Sequence, residues 1–136
     1  MPHLVILYTP NIEAETDMTA LCRTLADTML AQRDGDTGQP VFPTGGTRVL
    51  AYPAAHHAVA DGQADYAFVY LNLRMASGRA EAVKKKAGDE LLAAVRTHFA
   101  DLFARRHIGI TLQIDESPGQ VYDGKHSNLH PLFNKG

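Results

Sequence analysis

The chain has 136 residues, of which 45% are hydrophobic, and a formal net charge of −2. That length suits one domain, residues 1–136, with enough apolar material for a packed core. The near balance of charge gives no basic footprint for nucleic acid and no polybasic patch for a membrane surface, and no apolar run reaches the length of a membrane span.

The opening stretch, Met1-Pro2-His3-Leu4-Val5-Ile6-Leu7-Tyr8, has no basic n-region and does not read as a signal peptide. His3 to Tyr8 is rich in β-formers and reads as a first strand, broken by Thr9-Pro10-Asn11. Thr16-Asp17 can cap a helix running to about Gln32, with Met18, Leu21, Cys22, Leu25 and Met29 on one face. Cys22 is the single cysteine, so no internal disulfide and no Cys-rich zinc site can form. At that spacing it reads as a small buried hydrophobe rather than a nucleophile, and a reducing cytoplasm is the natural compartment. Asp34 to Gly46 is rich in Gly and Pro and reads as a loop. Thr47 to Tyr52 reads as a second strand, stopped by Pro53. Ala54 to Ala60 is ambiguous, with room for one helical turn, and Asp61-Gly62 is a turn.

The second half repeats this order. Tyr66 to Met75 is the strongest strand of the chain, interrupted by Ser77-Gly78. One long amphipathic helix is expected from about Arg79 to Arg106, with Val83, Ala87, Leu91, Val95, Phe99 and Leu102 or Phe103 facing inward. Gly109 to Ile114 alternates as a last strand. Residues 116–136 have turn chemistry and end in a short His/Leu/Phe segment.

Strand–helix–strand thus occurs twice, over about 2–53 and about 65–115, followed by a tail at 116–136. The expected fold is α/β (α+β), with two consecutive βαβ units. Each unit favours a parallel pair, and the two join into one four-stranded mixed sheet with both helices on one face. The other face is left bare. Yet Tyr66 to Met75 carries apolar residues on both of its sides, so a second copy of the chain is the expected cover.

Three residues stand out for chemistry. Initiator methionine is removed when the next residue is small, and Pro2 then becomes a free secondary amine at the head of a strand. An α-amine has a reference pKa of about 7.7–8.0, which desolvation lowers, so it can serve as a base near neutral pH. Arg48 opens the second strand beside Gly45-Gly46, and Arg79 sits at the junction of the third strand and the second helix. Arginine offers a permanently charged fork for carboxylates. The seven histidines complete no recognised zinc pattern, although His126 and His130 are four apart. Lys84-Lys85-Lys86 reads as a solvated helix face, and Gly45-Gly46-Thr47 lacks the spacing of a phosphate loop.

Taken together, the chain resembles the 5-carboxymethyl-2-hydroxymuconate Δ-isomerase family of the tautomerase superfamily. The resemblance is carried by Met1-Pro2-His3 opening a strand, Asn11-Ile12, Phe42-Pro43 and Arg48-Val49. It continues through Ala60-Asp61-Gly62-Gln63, Asp65-Tyr66-Ala67-Phe68-Val69, Gly78-Arg79, Thr97-His98-Phe99-Ala100 and Asn128-Leu129-His130-Pro131-Leu132-Phe133. It spans the whole chain apart from a longer loop near Asp34 to Gln39. The resemblance implies a homotrimer, a catalytic Pro2 with Arg48 and Arg79, and a small carboxylated enol substrate from aromatic catabolism (homoprotocatechuate degradation). It implies no metal and no organic cofactor. The longer loop can cover the site or change which substrate fits. Two alternatives stay open on the residues alone: another keto–enol tautomerase of the superfamily, and a binding module on the same scaffold without catalysis.

Overall fold

Asp17 starts the first helix by accepting a hydrogen bond from the Ala20 N–H at 3.0 Å, one of the donors that a helix start leaves unpaired. This helix, α1, spans Met18–Leu30 and buries Met18, Leu21, Leu25 and Met29 at the expected spacing, while Cys22 is half-buried against the same core. The structure is a computed structural model in which residues 2–133 are described. Met1, whose removal is expected from the small residue after it, and residues 134–136 of the tail lie outside the described residues.

The strands are β1 His3–Tyr8, β2 Arg48–Pro53, β3 Tyr66–Ala76 and β4 His107–Ser117. They form one mixed sheet in the order β2-β1-β3-β4. β1 runs parallel to β2, and β3 runs parallel to β4. Each βαβ unit therefore gives one parallel pair. The two units meet at β1 and β3, which pair antiparallel. α1 and α2 (Glu81–His98) touch each other, α1 also packs on β2, and α2 also packs on β4, so both helices cover one face. Leu4 and Ile6 of β1, and Val69, Leu71 and Leu73 of β3, are fully buried beneath them.

Three elements differ from their sequence expectation. The single helix expected to reach Arg106 begins at Glu81 and stops at His98. Phe99 leaves helical geometry (φ −96°, ψ 8°), and a short α3, Ala100–Arg105, follows. Beyond the break Leu102 is buried and Phe103 is 65% exposed, so Leu102 is the inward residue of the two. β4 is longer than the alternation at Gly109 to Ile114 suggested, because it pairs along the whole of β3. Ala54 to Ala60 forms no helical turn. The tail ends in a short helix, α4, at His130–Phe133.

The open face of the sheet is graded. Leu7, Leu50, Tyr52 and Phe68 lie on it and are 46%, 38%, 49% and 37% exposed, which is high for side chains of their size. Phe68 lies across β4 at Gly109, where a Cβ would come within 2.9 Å of its ring. Toward the start of β1 the face turns polar and then charged, through Asn72 and Gln113 to Arg48, His3, Arg74 and Asp115, which share one row across the four strands. No helix among the described residues is long and apolar enough to cross a membrane.

Candidate active site

The topology gathers the site. Because β3 is antiparallel to β1, the end of β3 lies beside the start of β1, with His3 opposite Arg74. Because β2 is parallel to β1, Arg48 at its head lies opposite the same His3. Pro2 immediately precedes this row and is buried. Arg79 follows β3 by three residues, beyond Gly78, whose φ of +115° turns the chain through a conformation that side chains rarely adopt. Pro2, Arg48 and Arg79 thus all lie at one end of the sheet.

Their environments differ. Arg48 is exposed; its Nε donates to the His3 Nδ1 at 2.7 Å, and its Nη1 reaches the Gly46 carbonyl at 3.5 Å. That first bond needs an imidazole with a free lone pair. Burial, followed by the charges of Arg48 and Arg74, holds the His3 pKa below the ordinary histidine value and so favours the neutral ring. Arg79 is half-buried. Its Nη1 donates to the Ala76 carbonyl at 3.1 Å, its Nη2 donates to the Val41 carbonyl at 3.2 Å, and its guanidinium carbon lies 5.1 Å from the centre of the Phe42 ring. Burial lowers its pKa, but a guanidinium remains charged at any ordinary pH.

One pocket is lined by His3, Arg48 and Arg74 together with Ala76, Ser77 and Gln120. Arg79 is not in its wall; it is bonded to the carbonyl of Ala76, which is, and is held by Val41 and Phe42. The expected trio is therefore brought to one end of the sheet, but of the three only Arg48 lines the pocket, and Pro2 and Arg79 do not. His3 and Arg74 are additions that residue types alone did not single out. The signal that finds them is strand register, since both share a row with Arg48.

The longer loop does not fold over this pocket. Asp34 N–H donates to the Gln39 carbonyl, Gly38 N–H donates to the Asp34 carbonyl, and the Asp34 carboxylate accepts from Asp36 and Thr37 N–H groups. The segment closes on itself as a hairpin, and it is the following Val41-Phe42 that touches Arg79. The C-terminal helix packs from the other side onto the turn at Thr44–Gly46 that leads into Arg48. A Cβ at Gly45 would stand 2.8 Å from the His130 Cα, so this close approach needs glycine. Among the described residues, no three His, Cys, Asp or Glu side chains cluster as metal ligands.

The family model of 5-carboxymethyl-2-hydroxymuconate isomerase matches residues 2–133. A 5-carboxymethyl-2-hydroxymuconate Delta-isomerase of Escherichia coli is 32% identical over 133 residues, spanning 98% of this chain and 99% of that protein. A crystal structure of 5-carboxymethyl-2-hydroxymuconate delta-isomerase is 54% identical, with a TM-score of 0.93 over 100% of this chain and 95% of that one. A crystal structure of a 5-carboxymethyl-2-hydroxymuconate isomerase from Deinococcus radiodurans R1 is 36% identical, with a TM-score of 0.86 over 98% and 95% of the two chains.

Proposed function

The chain belongs to the 5-carboxymethyl-2-hydroxymuconate isomerase family, and from that premise we propose that it converts the 5-carboxymethyl-2-hydroxymuconate dienol into its 2-oxo isomer with Pro2 as acid and base. The observation that supports the reading is the buried position of Pro2 directly before the row of Arg48, His3 and Arg74. With Met1 removed, the Pro2 amine takes the proton of the 2-hydroxyl. The O–H electron pair becomes the carbonyl π bond, the C2–C3 double bond moves to C3–C4, and the C4–C5 π pair breaks to form the C5–H bond with the proton that Pro2 carries. Nothing is oxidised or reduced. Negative charge on the enolate oxygen and the adjacent carboxylate grows before C5 is protonated, and Arg48 and Arg79 stabilise it. The test is spectroscopic: processed enzyme should convert the dienol to the conjugated ketone, and a confirmed Met1-free chain that leaves the dienol unchanged would overturn the assignment.

The assembly that goes with this activity is a homotrimer, and the compartment a cytoplasm. Apolar side chains as exposed as Leu7, Leu50, Tyr52 and Phe68 on one sheet face support self-association, since a free monomer rarely leaves such a face in water. Light scattering should return the mass of three chains. A stable monomer at micromolar concentration would contradict it.

A further inference from the structure

We infer that Arg74 holds the substrate's third carboxylate, the one on the carboxymethyl branch, and thereby selects tricarboxylate over dicarboxylate dienols. The inference rests on the activity proposed above. It starts from a charge count. The substrate brings three carboxylates, while the arginines so far assigned number two. A carboxylate brought out of water without a cationic partner pays a desolvation cost that nothing returns.

Arg74 is the cation at this end of the sheet that the chain leaves unused. Arg48 is tied to His3 and Gly46, and Arg79 to Ala76, Val41 and Phe42. Arg74 is exposed, lines the same pocket as His3 and Arg48, and its guanidinium has no hydrogen bond or ion pair among the described residues. The two acids nearest to it in sequence register form their bonds with other groups. Asp115, its register partner on β4, accepts from the Asn72 amide at 2.8 Å. Glu116 is paired with Lys84 at 2.8 Å. An arginine in a pocket wall that pairs with no carboxylate of its own chain is available for a carboxylate from outside.

The geometry also fits the chemistry. Arg48 and Arg74 flank β1, so their backbones stand two strand spacings apart, about 10 Å. Two long side chains reaching inward from that separation can grip the two ends of a six-carbon dienol. The carboxymethyl branch is attached at C5, the carbon that receives the proton. Holding that branch fixes which face of C5 is turned to Pro2.

The experiment compares two substrates on the trimeric, Met1-free enzyme: 5-carboxymethyl-2-hydroxymuconate, and 2-hydroxymuconate, which lacks the branch. Arg74→Gln should raise KM for the first at least tenfold and change KM for the second less than twofold, and Arg74→Lys should recover most of the loss. Equal shifts for both substrates would mean a general field effect and would overturn the subsite, as would no shift for either. Wild-type enzyme that converts neither dienol would overturn the proposed activity, and the subsite with it. Wild-type conversion without the differential effect would overturn the subsite alone.

Discussion

A chain that retains Met1, or carries one added residue ahead of Pro2, is expected to lose at least about 100-fold in turnover of the dienol while keeping its fold and assembly, the lower end of what a positioned acid–base group contributes. Acylating the proline nitrogen turns an amine into an amide and removes its basicity. No residue from Pro2 onward changes, so the loss reports on that nitrogen and on the bulk placed before it. Pro2 is buried at the start of β1, and its neighbour His3 is flanked by Arg48 on β2 and Arg74 on β3. Desolvation and nearby cations both disfavour a protonated amine, so the proposed base is expected to titrate at or below the reference range of about 7.7–8.0. The base works in its neutral form. Activity should therefore rise with pH through one ionisation at or below about 7.7 and stay high above it. Circular dichroism and light scattering of the extended chain serve as controls. If a chain confirmed by mass spectrometry to carry Met1 turns over the dienol as fast as the processed chain, Pro2 is not the base.

The periodicities in the sequence led to the two βαβ units, and the exceptions have local causes. Apolar spacing carries straight through Thr97-His98-Phe99-Ala100, and no Gly or Pro marks a stop, so the break at Phe99 is invisible to pattern reading. The break falls on Phe99, which is fully buried. The true length of β4 is a tertiary effect: its outer residues are strand because β3 offers them partners from Tyr66 to Ala76. The strand order β2-β1-β3-β4 was not legible either, since alternation says which residues share a face but not which strands are neighbours.

The same limit applies to the site. Pro2, Arg48 and Arg79 stand out in the sequence because their types and positions at element ends suggest chemistry. His3 and Arg74 carry no such signal as residue types. Both gain meaning only when register sets Arg48, His3 and Arg74 in one row, and a single sequence does not contain register. The Asp34 to Gln39 loop is the reverse case. As a sequence it looked able to cover the site, yet its Asx turn and cross-strand hydrogen bonds close it on itself. Arg79 is touched instead by Val41 and Phe42, residues that follow this loop rather than belong to it.

Arg79→Ala and Arg48→Ala should each weaken turnover of the dienol by at least ~2 kcal/mol, about 30-fold in kcat/KM, the lower end of the cost of losing one partner of a buried charge-assisted pair. Arg79 separates a catalytic role from a structural one most clearly, because the chain holds it so firmly. Truncating it leaves the Ala76 and Val41 carbonyls without their donors and strips a cation from the Phe42 ring. Part of any loss in the alanine variant is therefore local repacking. Arg79→Met keeps an unbranched stem over Phe42 without the charge, and Arg79→Lys keeps the charge without the planar fork. If Arg79 stabilises the enolate, Arg79→Met should unfold close to the wild-type temperature and still lose turnover about as far as Arg79→Ala. Arg79→Lys should fall between them and the wild type, with the deficit in kcat rather than KM, since the charge it meets develops only along the reaction. If Arg79 instead only props the Val41-Phe42 segment, Arg79→Met should be nearly fully active. Full turnover in both Arg48→Ala and Arg79→Ala would remove both residues from the site and leave Pro2 without the cations that make an anionic intermediate affordable.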